Sequence, residues 1–430
     1  MMKKWFRRLP PFPKGGQGGF IALKKDFRKP RPVKNTPDVI IVGGGVIGLC
    51  TAYFAADTGA KILVLEKDQY LSAACSVGNA GFLAPSHCLP LAAPGAPAEG
   101  MRALFNRFGP LSIRFRLDPS FIVWLVRFIA SCRKSKYYRG LKLLQELCWE
   151  SMTLHEMLSK ESKGVYQFRR SGMICVYEDK RAFAKGMKHA RSMKFFNTEY
   201  RIFPEQPFIN TSDLYSSIYY PTNGYINPSE FLDWLGKRCR EKGVEFKNGS
   251  EVIGFETRKR KITKVLSTHG EFLGNQVVIC AGIMTAHLLK LLGVPLFLQA
   301  AKGYSLTYDA PNHGIAYPVL LEKPRLAITP FKNQIRVAGV LDFSGIDYTV
   351  NYRRIARMHR DAGRWLPLLT CLKPVEIWRG WRPCPTDSLP IISRNRRIRN
   401  LLVATGHGTK GMLLGPATGQ RMAALLIGKS

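Results

Sequence analysis

Four β-branched apolar residues in a row, Val39-Ile40-Ile41-Val42, open the regular part of the chain. A short continuous apolar run fits a strand buried on both faces. Gly43-Gly44-Gly45-Val46-Ile47-Gly48 follows, then a helical stretch from Leu49 to Thr58 that Gly59 ends. Lys61-Ile62-Leu63-Val64-Leu65-Glu66 reads as a second strand, which completes one βαβ unit. Further on, the pattern predicts helices over 118–160, 228–242, 351–365 and 415–427. Asn227 is the expected N-cap before Pro228. Strands are predicted over 169–177, 216–220, 244–246, 251–257, 262–267, 276–280 and 401–404. Between 296 and 341 short strands recur, at 303–308, 326–330 and 334–338, as in an antiparallel sheet. Residues 72–97 are rich in Ala, Ser, Gly and Pro without a period, which fits a functional loop.

Strands resembling the first unit lie at both ends of the chain. This predicts an α/β plus α+β molecule: a discontinuous Rossmann-like dinucleotide-binding domain with an inserted antiparallel-sheet domain. The expected division gives a basic tail over 1–37 and dinucleotide-binding segments over 38–95, 223–295 and 376–430. The inserted domain takes 96–222 and 296–375.

The glycine turn has its required context of strand before, helix after, and an acid at the end of the next strand. Gly43 permits the tight turn, Gly45 lets the backbone approach a pyrophosphate, and Gly48 lets the helix pack closely on the strand. The phosphates would sit at the helix N-terminus, where free N–H groups and the helix dipole favour negative charge. Glu66 is placed to accept hydrogen bonds from the adenosine ribose hydroxyls. Its charge argues against a 2′-phosphate at that point. This fingerprint does not separate FAD from NAD.

Composition changes the picture in three places. The 430 residues carry a formal net charge of +35. That raises nucleic acid, an anionic membrane surface or acidic ligands as partners, against the plainer reading of a solvated basic face. Residues 1–37 hold eleven Lys or Arg against one acid, Asp26, and read as a disordered tail. The ten cysteines form no Cys-x-x-Cys pair and no zinc spacing, so they read as reduced, buried thiols of a cytoplasmic protein. No apolar run is long enough to span a membrane, and the best candidate, 121–130, contains Arg127.

Four segments carry a family resemblance. They are Ser76-Val77-Gly78-Asn79-Ala80-Gly81 with Pro85 and Leu91-Ala92-Ala93-Pro94-Gly95; Lys302-Gly303-Tyr304-Ser305-Leu306-Thr307; Trp378-Arg379-Gly380-Trp381-Arg382-Pro383; and Gly406-His407-Gly408-Thr409-Lys410-Gly411 running into Pro416-Ala417-Thr418-Gly419. In this order, from Asp38 onward, the sequence resembles the D-amino-acid oxidase-like flavoproteins, and among them the bacterial D-amino-acid dehydrogenases. The resemblance implies FAD as cofactor, so that the discontinuous domain is the FAD-binding domain and the inserted sheet is the substrate domain. It implies cofactor contacts from Val42, Gly43, Gly45, Val46, Ile47, Gly48, Glu66 and Lys67. Further contacts are implied from Ser76, Asn79, Ala80 and Gly81, from Val252, Ala281 and Gly282, and from Gly406, Gly408, Gly411, Met412 and Leu413.

The implied reaction is hydride transfer from the substrate Cα to flavin N5, giving an imino acid that water hydrolyses to a 2-oxo acid and ammonia. Arg382, matching the family's Gly-x-Arg-Pro arginine, is the implied carboxylate clamp, because a planar guanidinium pairs a carboxylate bidentately. Tyr304 has two readings, a substrate contact or an inward aromatic. His407 also has two, a contact to ring or substrate or a packed histidine that stabilises the turn. Ala327 stands before Ile328-Thr329-Pro330 where glycine oxidases carry tyrosine, and Lys410 and Met412 also depart from the dehydrogenase pattern. The resemblance implies a quinone or another membrane electron acceptor, reached by peripheral contact at the inner face of the cell membrane; the basic surface and the 121–128 segment would supply that contact, and the segment's spacing fits a buried helix equally well. The alternative is a peroxide-forming oxidase of the same fold, such as a glycine, D-amino-acid or imino-acid oxidase. No nucleic-acid motif is present, and no nucleic-acid partner is expected.

Overall fold

The computed structural model describes residues 36–70, 75–105, 109–203 and 211–428. The expected basic tail, up to residue 35, lies outside them.

Two large sheets organise the chain. The first has six strands in the order β10 (Glu245–Lys247), β2 (Ile62–Leu65), β1 (Val39–Val42), β14 (Gln276–Ile279), β21 (Leu401–Thr405) and β20 (Ile391–Arg394). All neighbours are parallel except β20 and β21. Strands β1, β2 and β21 are buried along their whole length, as their unbroken apolar runs require. The strands come from separate stretches of chain, so this dinucleotide-binding domain is discontinuous.

The second sheet has nine strands. Its main path runs β19 (Glu376–Pro385), β15 (Leu298–Asp309), β18 (Gln334–Phe343), β17 (Leu326–Phe331), β16 (Val319–Leu321), β6 (Met173–Tyr177), β8 (Ser216–Tyr220) and β7 (Arg201–Ile202), with β4 (Leu111–Ile113) beside β18. It is antiparallel apart from β16–β6 and β4–β18. Two small sheets complete the set: β11 (Val252–Arg258), β12 (Lys261–Ser267) and β13 (Gly270–Phe272); and β3 (Phe82–Leu83), β9 (Gly224–Ile226) and β5 (Phe168–Arg169).

The elements depart from the sequence reading in several places. Strand β19, expected in the last FAD-binding segment, pairs with β15 from Leu298↔Pro385 to Thr307↔Glu376 and so belongs to the nine-stranded sheet. The helix expected over 118–160 is two helices, Pro119–Ser131 and Lys134–Ser162, which break at Cys132. The break lets the two pack on different partners. Trp124 Nε1 donates to Cys384 O at 2.9 Å on β19, whereas His155 reaches the last helix. The long helix, expected in the substrate domain, thus packs on the FAD-binding side. The strand expected over 169–177 is split into β5 and β6 at Gly172, which takes a φ of 87°. The helices Ala96–Phe105 and Lys180–Met193 were not predicted.

The last helix, Gly411–Leu426, starts four residues earlier than predicted and carries Pro416 inside it. Proline has no N–H for the carbonyl one turn back. That carbonyl, Met412 O, instead takes His155 Nε2 at 3.0 Å. Burial pushes the His155 pKa down to about 4, which keeps the ring neutral beside the helix.

Candidate active site

The carboxyl ends of the parallel strands meet along one edge of the six-stranded sheet, where ligands of open α/β sheets bind. Gly43 leaves β1 with φ 107°, and a Cβ there would lie 2.7 Å from Cys280 O. A Cβ on Gly48 would lie 1.8 Å from Gly43 O, so the helix Val46–Ala56 meets the strand at backbone distance. Nothing lies closer to the position of a Gly45 Cβ than Ser76 Oγ at 3.5 Å, and that hydroxyl accepts the Val46 N–H at 3.1 Å. Ile47 follows in the first turn of the helix.

Glu66, at the end of β2, is 6% exposed and accepts from Gly44 N at 2.6 Å and Asp68 N at 3.0 Å. Burial raises its pKa, and the two N–H donors pull against that. Lys67 next to it pairs with Asp68 at 2.7 Å. Val252 begins β11 two residues after Ser250, whose N–H donates to Glu66 O at 2.8 Å. Ala281 and Gly282 follow β14. Thr405 Oγ1, at the end of β21, donates to Gly282 O at 2.8 Å and ties those two strand ends together.

The register of the nine-stranded sheet assigns its side chains to two faces, because residues two apart share a face and paired residues match. One face carries Arg382, Gly380, Trp378 and Glu376 on β19, Ser305 and Thr307 on β15, Arg336 and Ala338 on β18, and Ala327 and Thr329 on β17. The segment from Cys75 to Gly81 crosses this face. Cys75 Sγ reaches Trp381 O at 3.4 Å. A Cβ on Gly78 would lie 1.6 Å from Trp378 Cδ1, so only glycine lets the loop lie on that ring. Arg336 donates to Val77 O at 2.6 Å and Asn79 O at 3.1 Å, and faces Glu376 at 3.3 Å. Thr329 Oγ1 donates to Ala80 O at 2.6 Å, and Asn79 Oδ1 accepts from Gly81 N at 2.8 Å. Arg336 was missed from sequence. The only signal was a charge at an inward position of the alternating run Gln334-Ile335-Arg336-Val337.

Arg382 lies half-buried on the same face. Its guanidinium rests on Gly303, where a Cβ would lie 2.4 Å from Cζ, and it donates to the carbonyls of Val340 and Gly339. Among the described residues no carboxylate pairs with it, and burial lowers its pKa. The buried Trp378 Nε1 and Ser305 Oγ on this face also have no hydrogen-bond partner among the described residues.

The C-terminal turn lies against the same strand, since Gly408 N donates to Pro383 O at 3.0 Å. Gly406 and Gly408 both have positive φ. The helix then opens at Gly411, and its first internal bond in this turn is Leu414 N to Lys410 O at 2.8 Å. The N–H groups of Gly411, Met412 and Leu413 are thus the end donors of the helix.

For Tyr304 and His407, each given two readings above, the packing fits the second. Tyr304 is on the opposite face from Arg382. It packs in the cluster that contains Leu306, Ile328 and Trp365, and its hydroxyl accepts from Asn351 N at 3.3 Å. Alternation along β15 forces this, because Gly303 and Ser305 take the Arg382 face. His407 is 5% exposed, and its Nε2 meets Thr418 Oγ1 at 2.9 Å within the turn and last helix. Burial pushes its pKa down to about 3, which favours the neutral ring.

A glycine turn at a helix N-terminus, a buried acid beside it, and a face with unpaired Trp378 and Ser305 donors fit a dinucleotide that extends from the six-stranded sheet to the nine-stranded one. This arrangement is that of a dinucleotide-binding protein. Residues 38–425 match the DAO family, FAD dependent oxidoreductase, and the chain belongs to that family with FAD as its cofactor. A D-amino acid dehydrogenase of Vibrio atlanticus is 27% identical over 91% of this chain and 96% of its own. One from Methylobacterium sp. is 28% identical over 91% and 95%. Among solved structures, glycine oxidase from Bacillus cereus superposes with a TM-score of 0.73 at 22% identity, over 92% of this chain and 96% of that one.

Proposed function

We propose that the protein oxidatively deaminates small neutral D-amino acids and passes the electrons to a quinone. The observation that carries this reading is the Arg382 guanidinium, half-buried, short of a carboxylate and set beside the C-terminal turn. A bidentate pair there would fix the substrate carboxylate and orient the Cα–H bond. FAD, when bound, supplies the two-electron acceptor. Gly45 and the first turn of the helix Val46–Ala56 would hold its phosphates, and Glu66 its ribose. The end N–H groups of Gly411, Met412 and Leu413 would stabilise negative charge developing on the ring. The imino acid product hydrolyses to a 2-oxo acid and ammonia. The names of the full-length relatives support the D-amino-acid assignment, and Ala327, in place of a tyrosine, weighs against a glycine oxidase.

The quinone reading draws on the helix Pro119–Ser131. Phe121, Trp124 and Phe128 face inward, while Ile122, Val126 and Ile129 are exposed, with Arg127, Arg133, Lys134 and Lys136 close by in sequence. An apolar stripe flanked by cations suits an anionic membrane surface. No helix among the described residues is long and apolar enough to cross a membrane.

The test is anaerobic mixing of the flavin-loaded protein with a panel of D- and L-amino acids. Small neutral D-amino acids should bleach the flavin, and failure of every amino acid to do so would refute the reading. Under air, low peroxide yield with fast reduction of a quinone analogue is expected. Stoichiometric peroxide would make the protein an oxidase.

A further inference from the structure

The face that carries Arg382 continues beyond β17. Leu320 on β16 pairs with both Ala327 and Cys175, so Cys175 on β6 lies on that face, as does Glu322 two residues after Leu320. The loop that begins at Cys75 has been fastened to β19, β18 and β17 in turn, and it ends here with His87. His87 Nε2 is 3.6 Å from Cys175 Sγ and 3.6 Å from Glu322 Oε1, and the three ligand atoms lie within 4.8 Å of one another. Four-coordinate zinc with nitrogen, sulfur and oxygen ligands holds donor atoms about 3.3–3.6 Å apart. The three side chains therefore need only a small contraction.

We infer that His87, Cys175 and Glu322 form a zinc site with a fourth position open to water. A nucleophilic triad is the other use of these residue types, but the geometry disfavours it. A triad sets its nucleophile and its orienting group on opposite nitrogens of the ring, whereas here the thiol and the carboxylate converge on the same Nε2. Nδ1 faces Ser86 Oγ at 2.6 Å, and that oxygen is itself held by Asn223 Nδ2 at 2.6 Å. An outer partner on the far nitrogen is what points a ligating imidazole at its metal. Zinc binding would displace the thiol proton to solvent and leave two anionic ligands, thiolate and carboxylate, that neutralise the ion. Cys175 is fully buried, while the His87 and Glu322 side chains keep 22% and 34% exposure, which leaves an entry path.

Cys175 is five strands from Arg382 along the sheet, about 24 Å at about 4.8 Å per strand. The ion would thus act on structure. It would pin the far end of the cofactor-side loop to the sheet, joining segments 85–87, 173–177 and 319–322. The site rests on these three side chains and not on the identity of the substrate.

The test uses the full-length, flavin-loaded protein. After dialysis against zinc(II) and then against buffer, about one zinc per chain should remain, with a raised melting temperature that a chelator reverses. Cobalt(II) in its place should give thiolate charge-transfer bands and ligand-field bands in the red, where oxidised flavin does not absorb. C175S should abolish the thiolate bands. H87Q and E322Q should each weaken zinc binding by more than the roughly 100-fold that loss of an outer partner costs. H189Q, which removes a neighbouring ring whose Nε2 bonds Ser86 O, should retain the metal. Substoichiometric zinc in the wild type, or a cobalt spectrum that survives C175S, would overturn the proposal. If C175S does not fold, E322Q decides, because a melting-competent E322Q protein that keeps its zinc overturns it equally.

Discussion

Gly303→Ala isolates the position of Arg382 from every other property of the site. Gly303 shows no positive φ, so alanine brings no backbone strain. Its methyl would lie 2.4 Å from Arg382 Cζ, against about 3.5–4.0 Å for ordinary contact. The guanidinium is the mobile end of a long side chain, so it yields and the strand does not. It must move by about 1 Å, and a displacement of that size at a positioning group costs roughly 100-fold in rate. G303A should therefore bind FAD normally and melt within a few degrees of the wild type. Its rate of anaerobic flavin reduction by D-alanine, read as kcat/KM, should fall roughly 100-fold, equivalent to about 2.7 kcal/mol. Stopped-flow absorbance with a parallel thermal melt measures both. Wild-type reduction by G303A would refute the assignment of Arg382 as the carboxylate partner.

Three further outcomes are expected. Gly48→Ala places a methyl against a backbone oxygen that has no room to move, and should give a chain that purifies without flavin, as its absorbance spectrum would report. Arg336→Met leaves the Val77 and Asn79 carbonyls unpaired, and should lower stability in urea by about 2–4 kcal/mol while loosening flavin retention. His407 and His155 are held neutral, with pKa values of about 3 and about 4, below the unfolded value near 6.5. The unfolded chain then binds more protons, so their contribution to stability is intact above about pH 6.5 and is lost as pH falls from there, down to about 4 for His155 and about 3 for His407. A folded H407N variant should show a shallower fall in melting temperature over that window, and an unchanged slope would contradict the assignment of His407 as a buried neutral group.

The first βαβ unit was legible because everything it needs is local. The apolar run, the three glycines and Glu66 fall within thirty residues and constrain one another. The strands near 303, 326 and 334 were legible from period-two alternation. What alternation did not give was the face. Tyr304 and Arg382 both sit in motifs of the resemblance, yet the β15–β19 register turns them to opposite sides. Strand β19 was assigned to the last FAD-binding segment for a related reason, since its twelve-residue partner β15 lies some seventy to ninety residues earlier and leaves no local mark. Arg336 escaped notice because its role is to hold carbonyls of a loop more than 250 residues away in sequence. The His87, Cys175 and Glu322 convergence has no spacing signature at all, since it depends on β6 and β16 being parallel neighbours.

The most direct test of the account compares D-alanine with D-alaninamide as reductants of the bound flavin under anaerobic conditions. The two share the amine, the Cα–H bond and the side chain, and differ in the anionic group that Arg382 is proposed to hold. D-alanine should reduce the flavin at least 100-fold more efficiently, the difference expected for an unpaired guanidinium against a bidentate ion pair. Equal reduction by the two compounds would contradict it.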